Sequence, residues 1–473
     1  MKKKIILPLG PLLCLLFFFC PFTILSPEAD KVLGVAVWMI LWWITEVVSI
    51  SVTALIPLTF YPLLGIMPMK EVAVNYAHPI IFLFFGGFVL ALALEKVNLH
   101  RRVALSIIKL TGTSPNRIIL GFMLATAFLS MWISNTATTV VMLPIAYSVI
   151  ELLIDDADGF TKKDRNFALS IMLGIAYSAN VGGIATLIGT PPNIVLAGFM
   201  KSEFNYTISF VKWMLVGIPF AIIMLFFIYY VLTKIMYPNH LAAFEKSKEL
   251  IDQEMKKLGK ISKSEITILV IFIVAILFWI IKEYINNLFP SLGLSDTSIS
   301  LVAAFACFVA THNNETILKW DDTKRLPWGI LLLFGGGLAL AGALSNVGII
   351  DMIGNAVSTN TTLSVLLICS VLIAVMLFMT ELMSNVALIT IFAPMVAGVA
   401  LGLEISLLHI LIPVAMASSC AFMLPMSTPP NAIVFASGHV KVAQMARAGF
   451  LLNIISIILL IVFFQFVIPL VFT

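Results

Sequence analysis

Four short polar signatures interrupt otherwise apolar sequence: Ser134-Asn135-Thr136-Ala137, Thr190-Pro191-Pro192-Asn193, Ser384-Asn385-Val386-Ala387 and Thr428-Pro429-Pro430-Asn431. Their polar side chains are hydroxyls and amides, and no Ser/His or Cys/His arrangement stands with them to activate a nucleophile. They can ligate. An Asn side chain gives an N–H to an anion and a carbonyl oxygen to a cation. Each signature also breaks a helix, because Pro lacks the N–H and Ser, Asn and Thr prefer cap positions. Helices restarting after Thr136, Val386, Thr190 and Thr428 present free N–H groups and a dipole end of roughly half a positive charge, which suits an anion. Helices ending just before the same breaks present free carbonyls, which suit a hard cation such as sodium. One motif thereby makes both kinds of site.

The elements that carry these breaks lie in lipid. Of 473 residues, 61% are hydrophobic and only 11% charged, far from the composition of a water-soluble chain. Apolar runs recur from end to end with no polar domain between them. At about 20 residues per crossing they predict eleven spans, near 5–25, 31–49, 50–64, 79–95, 168–200, 208–237, 264–289, 296–311, 327–345, 406–437 and 445–471. Two further segments, 117–154 and 361–400, are too long for one crossing and are broken midway by Ser-Asn. They read as re-entrant hairpins. Met1-Lys2-Lys3-Lys4 and the apolar run after it lack a small-residue cleavage site and read as a retained first helix.

With a cytoplasmic N-terminus, only Lys31, Lys70, Lys201, Lys212 and Lys282 of the 28 Lys and Arg fall outside, as the positive-inside rule demands. An inner-membrane, multi-pass chain is expected. Its parts are an N-terminal helix (1–30), a first repeat (31–237) with a cytoplasm-facing hairpin at 117–154, a soluble cytoplasmic linker (238–263) and a second repeat (264–473) with an outward-facing hairpin at 361–400. The repeats share Phe-Gly-Gly (85–87 and 334–336), then Ser-Asn with a Pro ten residues after the Ser, then Thr-Pro-Pro-Asn. Opposite hairpin orientation makes them inverted, which is a transporter architecture with its site near the midplane.

Other signals are weaker. Gly86-Gly87 and Gly335-Gly336-Gly337 read as close-packing positions. Glu46 and Glu381, ionisable within apolar spans, are functional candidates. The six His show no i,i+4 metal pair, the five Cys no CxxC spacing, and the basic residues no stripe for nucleic acid. No nucleophile–base or HExxH arrangement supports an enzyme, and polar groups gathered at two hairpin tips do not line the continuous pore of an anion channel.

The paired Ser-Asn and Thr-Pro-Pro-Asn motifs, Trp42-Trp43-Ile44-Thr45-Glu46, and the stretch from Ser427 to Gly438 resemble the divalent-anion/sodium symporter family of citrate and dicarboxylate carriers, over nearly the whole chain. The resemblance implies an all-α homodimer working as an elevator, in which a transport domain carrying both hairpins slides against a fixed scaffold. It implies succinate, malate, fumarate or citrate moved with two or more sodium ions. Carried over, one sodium site takes Ser130, Ser134, Asn135 and a carbonyl near Gly183. The other takes Thr380, a carbonyl near Met383, Asn385 and a group near Ser427. Substrate carboxylates meet Asn135, Thr136, Asn385, Thr428 and Pro429. Val386 departs from the family's Thr, which leaves open the preferred acid and the choice between symport and sodium-independent exchange.

Overall fold

The computed structural model describes residues 2–19, 26–112, 114–154, 161–239, 241, 245–313, 315–360 and 364–472. Regular structure here is helical apart from one two-residue strand pairing, Thr311–His312 with Glu315–Thr316. The chain starts with α1 (Lys2–Phe19), α2 (Pro27–Thr45), the short α3 (Ile50–Thr53), α4 (Ile56–Leu63) and α5 (Met69–Tyr76). There follow α6 (Pro79–Lys96), α7 (Leu99–Thr111), α8 (Pro115–Ser130), α9 (Asn135–Ile154), α10 (Lys162–Ile184), α11 (Pro191–Phe204) and α12 (Phe210–Tyr230). After α13 (Glu245–Lys257) come α14 (Lys263–Leu288) and α15 (Asp296–Val309). The order then recurs: α16 (Trp328–Asn346), α17 (Ile349–Asn360), α18 (Val365–Thr380), α19 (Asn385–Gly402), α20 (Leu407–Ala417), α21 (Pro429–Ala436) and α22 (Val442–Val462), ending in α23 (Ile468–Val471). Even the π-helical turns after α12 (Val231–Met236) and α22 (Phe463–Val467) correspond.

Seven helical segments among the described residues are long and apolar enough to cross a membrane, and further apolar helices of 10–17 residues include α8, α15, α18 and α20. Two runs taken as single crossings are each two helices. Residues 168–200 divide at 185–190 between α10 and α11, and residues 406–437 divide at 418–428 between α20 and α21. The Thr-Pro-Pro motif explains both, since it forces an extended residue and restarts the helix. Sequence reading missed α7 and α17, each too short and too amphipathic to register as a crossing. The linker read as a soluble loop contains α13, which ion pairs hold against α7: Lys109 to Asp252 at 2.7 Å and Arg101 to Glu254 at 3.6 Å.

Packing exchanges partners between the two runs of elements. Helix α9 of the first hairpin touches α21, while α19 of the second touches α11. Likewise α6 packs on α15, and α16 on α3, α4 and α5. Where apolar side chains have no water to escape from, helix association relies on close contact at small residues. An added Cβ at Gly86 would stand 2.1 Å from Ser300 Oγ, and one at Gly336 would stand 2.4 Å from the Ala54 carbonyl. The glycine pairs are therefore close-packing positions, as their sequence context suggested. A smaller core around Trp43 and Tyr61 joins α2, α4, α5 and α16 with Ala387 and Ile391 of α19, beside the main core, which runs through α6–α12, α14, α15 and α18–α22.

Candidate functional site

Each Ser-Asn break is a four-residue turn between two helices: residues 131–134 between α8 and α9, and 381–384 between α18 and α19. Ser130 closes α8 and donates to Asn135 Oδ1 at 2.6 Å. Thr380 closes α18 and reaches Asn385 Oδ1 at 2.7 Å and the Ser418 carbonyl at 2.6 Å. A hydroxyl has one proton, so Thr380 serves only one of them at a time, and an oxygen is left facing oxygens. Gly183 abuts the first cluster closely: a Cβ there would stand 2.6 Å from Asn135 Oδ1. Ser134 sits at the exposed tip, accepting from the Ala137 N–H at 3.2 Å.

The Thr-Pro-Pro breaks match in backbone. Thr190 (φ −142°, ψ 142°) and Thr428 (φ −142°, ψ 150°) are both extended, the conformation a following proline imposes. The motif's Asn then sews up the unwound backbone before it. Asn193 donates to the carbonyls of Thr186 at 2.8 Å and Gly183 at 3.2 Å. Asn431 donates to the carbonyls of Ala421 and Leu424, both at 3.1 Å, and to Ser427 Oγ at 3.0 Å. Ala421 thus occupies in the second run the place Gly183 has in the first. In the sequence both Asn residues belong to the motif, with no role of their own apparent there. Their place three residues after the Thr was the available signal.

Glu381 is buried and occupied by backbone. Its carboxylate accepts from the N–H groups of Phe422 (2.8 Å), Met423 (2.9 Å) and Leu424 (3.1 Å), and from Asn453 Nδ2 (2.8 Å). It holds the unwound 418–428 segment. Glu46, exposed, caps α2 with a left-handed backbone (φ 45°), next to Trp43, whose indole N–H donates to the Ile50 carbonyl at 3.2 Å.

All four breaks line one cavity of about 880 Å³. Of the residues singled out in sequence, Ser134, Asn135, Thr136, Met383, Asn385, Val386, Ser427, Thr428, Pro429 and Glu46 face it. Ser130, Gly183 and Thr380 lie buried behind the two Asn residues. The front presents N–H groups of restarting helices, an environment for an anion. The layer behind presents hydroxyl, amide and carbonyl oxygens, an environment for a hard cation. Sequence reading missed Arg325, which also lines the cavity from outside every motif.

Two solved transporter structures resemble this fold. The Alcanivorax borkumensis YdaH transporter aligns over 84% of this chain and 88% of its own with a TM-score of 0.59 at 14% identity. Neisseria gonorrhoeae MtrF, described within a class of antimetabolite efflux pumps, aligns over 85% and 84% with the same TM-score at 12% identity. Sequence relatives are nearer. The "Sodium-dependent dicarboxylate transporter SdcS" of Staphylococcus saprophyticus is 39% identical over 470 residues, covering 98% of this chain and 90% of that protein. Its Staphylococcus aureus (strain USA300) namesake is 40% identical over 472 residues, covering 98% and 91%. The model of the sodium:sulfate symporter transmembrane region matches residues 3–473, and with it the chain belongs to the divalent-anion/sodium symporter family, as a multi-pass membrane protein.

Proposed function

We propose that this protein is a secondary active carrier that moves di- or tricarboxylate anions such as succinate, malate, fumarate and citrate together with sodium. The observation that carries the reading is the convergence of four neutral helix breaks on one cavity. Asn135, Thr136, Asn385, Thr428 and Pro429 receive the carboxylates, with Val386 beside them. Sodium is taken by Ser130, Ser134, Asn135 and the Gly183 carbonyl on one side, and by Thr380, Asn385, the Met383 carbonyl and Ser427 on the other. Neutral donors plus bound cations bind a dianion and release it when the cations leave, which a fixed cation in the same place would hinder.

The reading extends to movement. About eleven crossings and two re-entrant hairpins form inverted repeats, and the hairpins with α10–α12 and α20–α22 slide as an elevator against a scaffold built on the core around Trp43. The working form is a homodimer in the inner membrane with its N-terminus in the cytoplasm. The exchanged partners of α9 and α19 support the paired arrangement of the two hairpins. Uptake of labelled succinate into proteoliposomes is expected to rise steeply with sodium, with potassium unable to replace it. Unchanged uptake in choline buffer with succinate–succinate exchange intact would overturn sodium coupling and select the exchanger, the alternative that Val386 in place of Thr keeps open.

A further inference from the structure

Among the described residues lining the cavity, Arg325 alone carries a positive charge and Glu46 alone a negative one. Neither belongs to a break. Arg325 ends the 3-10 turn Trp320–Arg325, just before α16. The turn itself is well fixed. Asp322 pairs with Lys96 and accepts the Lys319 N–H at 2.7 Å, Trp328 Nε1 donates to the Thr323 carbonyl at 2.8 Å, and the rings of Trp320 and Trp328 both lie against Phe85 of α6. The guanidinium at its end is not. Its ion pair with Glu95 is 3.6 Å long, and its side chain is 62% exposed. A guanidinium–carboxylate pair in good geometry is closer to 2.7–2.9 Å and engages two of five donors. Arg325 therefore stands at the cavity wall with most of its hydrogen-bonding capacity unspent.

We propose that Arg325 is a receiving group for a substrate carboxylate on the membrane face to which it belongs: the dianion displaces Glu95 from the guanidinium on its way to or from the hairpin tips. The proposal rests on the carrier reading of the same cavity and adds a residue that no motif contains. A planar guanidinium matches a carboxylate where the tips offer only neutral donors. A positive charge at the wall of a low-dielectric cleft raises the local concentration of anions and their rate of entry, an effect that salt weakens. The assistance is one-sided. Arg325 precedes Gly335 by ten residues, and the residue ten before the equivalent Gly86 is Tyr76, whose hydroxyl donates to the Ala54 carbonyl. The first run of elements thus offers no guanidinium at the matching place.

The test is succinate transport measured separately from each face in right-side-out and inverted vesicles. The face bearing Arg325 is identified by labelling Lys324→Cys with an impermeant maleimide, Lys324 being 78% exposed. Arg325→Gln is expected to raise KM roughly tenfold on that face, with KM on the other face and the sodium activation constant unchanged. Arg325→Lys should recover part of the loss, and high salt should shrink the difference. Glu95→Gln, which frees the guanidinium, should lower KM on the same face. Equal KM changes on both faces, or no change, would overturn the proposal. So would an unaltered KM in Glu95→Gln, which decides the matter if Arg325→Gln fails to reach the membrane. Absence of succinate transport by the unaltered protein on either face would overturn the carrier reading itself, and the proposal with it.

Discussion

Asn180, near the end of α10, donates its side-chain amide to Thr428 Oγ1 at 3.1 Å, across 248 residues of chain. The same amide reaches the Ala421 carbonyl at 3.0 Å. One buried group of the first run of elements thereby fixes both the unwound segment and the helix start of the second. Asn180→Ala removes both hydrogen bonds and leaves Asn431 as the remaining donor to the Ala421 carbonyl and to Thr428 Oγ1, a loss of about 0.5–1.5 kcal/mol per bond. Because Thr428 faces the cavity and Ala421 mirrors Gly183, apparent affinities for succinate and sodium are expected to weaken together. Saturation curves for each would show it; a change in one constant alone would contradict the coupling.

Glu46 and Glu381 looked equivalent in sequence, and the structure separates them. Glu381→Gln keeps the shape but puts an NH2 group where backbone N–H groups now point, so at least one buried donor of 422–424 goes unpaired at a cost of about 1–3 kcal/mol. Thermal unfolding in detergent is expected to shift down by several degrees. Glu46→Gln removes an exposed charge and should leave the unfolding temperature where it was. Equal shifts in the two variants would refute the assignment.

What was legible in the sequence follows from this chemistry. The four breaks could be read because Pro-Pro and Ser-Asn violate apolar periodicity at the spot where the helix stops, a purely local effect. Helices α9, α11, α19 and α21 accordingly start within two residues of the expected restarts. The layering of Ser130, Gly183 and Thr380 behind the two Asn residues was not legible, since it depends on how the hairpins pack on α10 and α20. Nor were the roles of Asn193 and Asn431, whose partners are carbonyls that become available only once the preceding backbone unwinds. Arg325 lies 60 or fewer residues from the second hairpin in sequence, yet only tertiary packing of its turn against α6 brings it to the cavity.

Asn135 and Asn385 stand in the same relation to a hydroxyl at the end of the preceding helix, 2.6 Å from Ser130 and 2.7 Å from Thr380. Each amide can serve an anion and a cation at once. Replacing either by Ala removes a hydrogen bond to a charged partner, about 1.5–3 kcal/mol, or one to two decades in affinity. Both variants should reach the membrane and lose succinate and sodium affinity to a similar degree. A variant pair in which one transports normally would break the proposed equivalence of the two tips.

The linker offers a test of topology. Lys256 lies in the last turn of α13, which packs against α7. If the basic bias of the loops places this segment in the cytoplasm, a cysteine at Lys256 labels with an impermeant maleimide in inverted vesicles and stays unlabelled in right-side-out vesicles. The reverse pattern would invert the whole map, including the face assigned to each hairpin.

Val386 is where the two tips differ, and it lines the cavity beside Asn385 as Thr136 does beside Asn135. Val and Thr have nearly the same shape, so Val386→Thr adds a hydroxyl without displacing a neighbour; residue 386 is the second residue of α19, which has no carbonyl one turn back to take the new hydroxyl, so its partner is the substrate. A hydroxyl facing the cavity favours an acid with a group to pair with it, so malate and citrate, which carry hydroxyls, should gain on succinate, which does not. A neutral hydrogen bond contributes about 0.5–1.5 kcal/mol, which corresponds to a shift of roughly two- to tenfold in relative affinity. Competition of unlabelled malate, citrate and succinate against labelled succinate measures the order directly. An unchanged order in a variant that transports at normal rates would show that residue 386 does not touch the substrate.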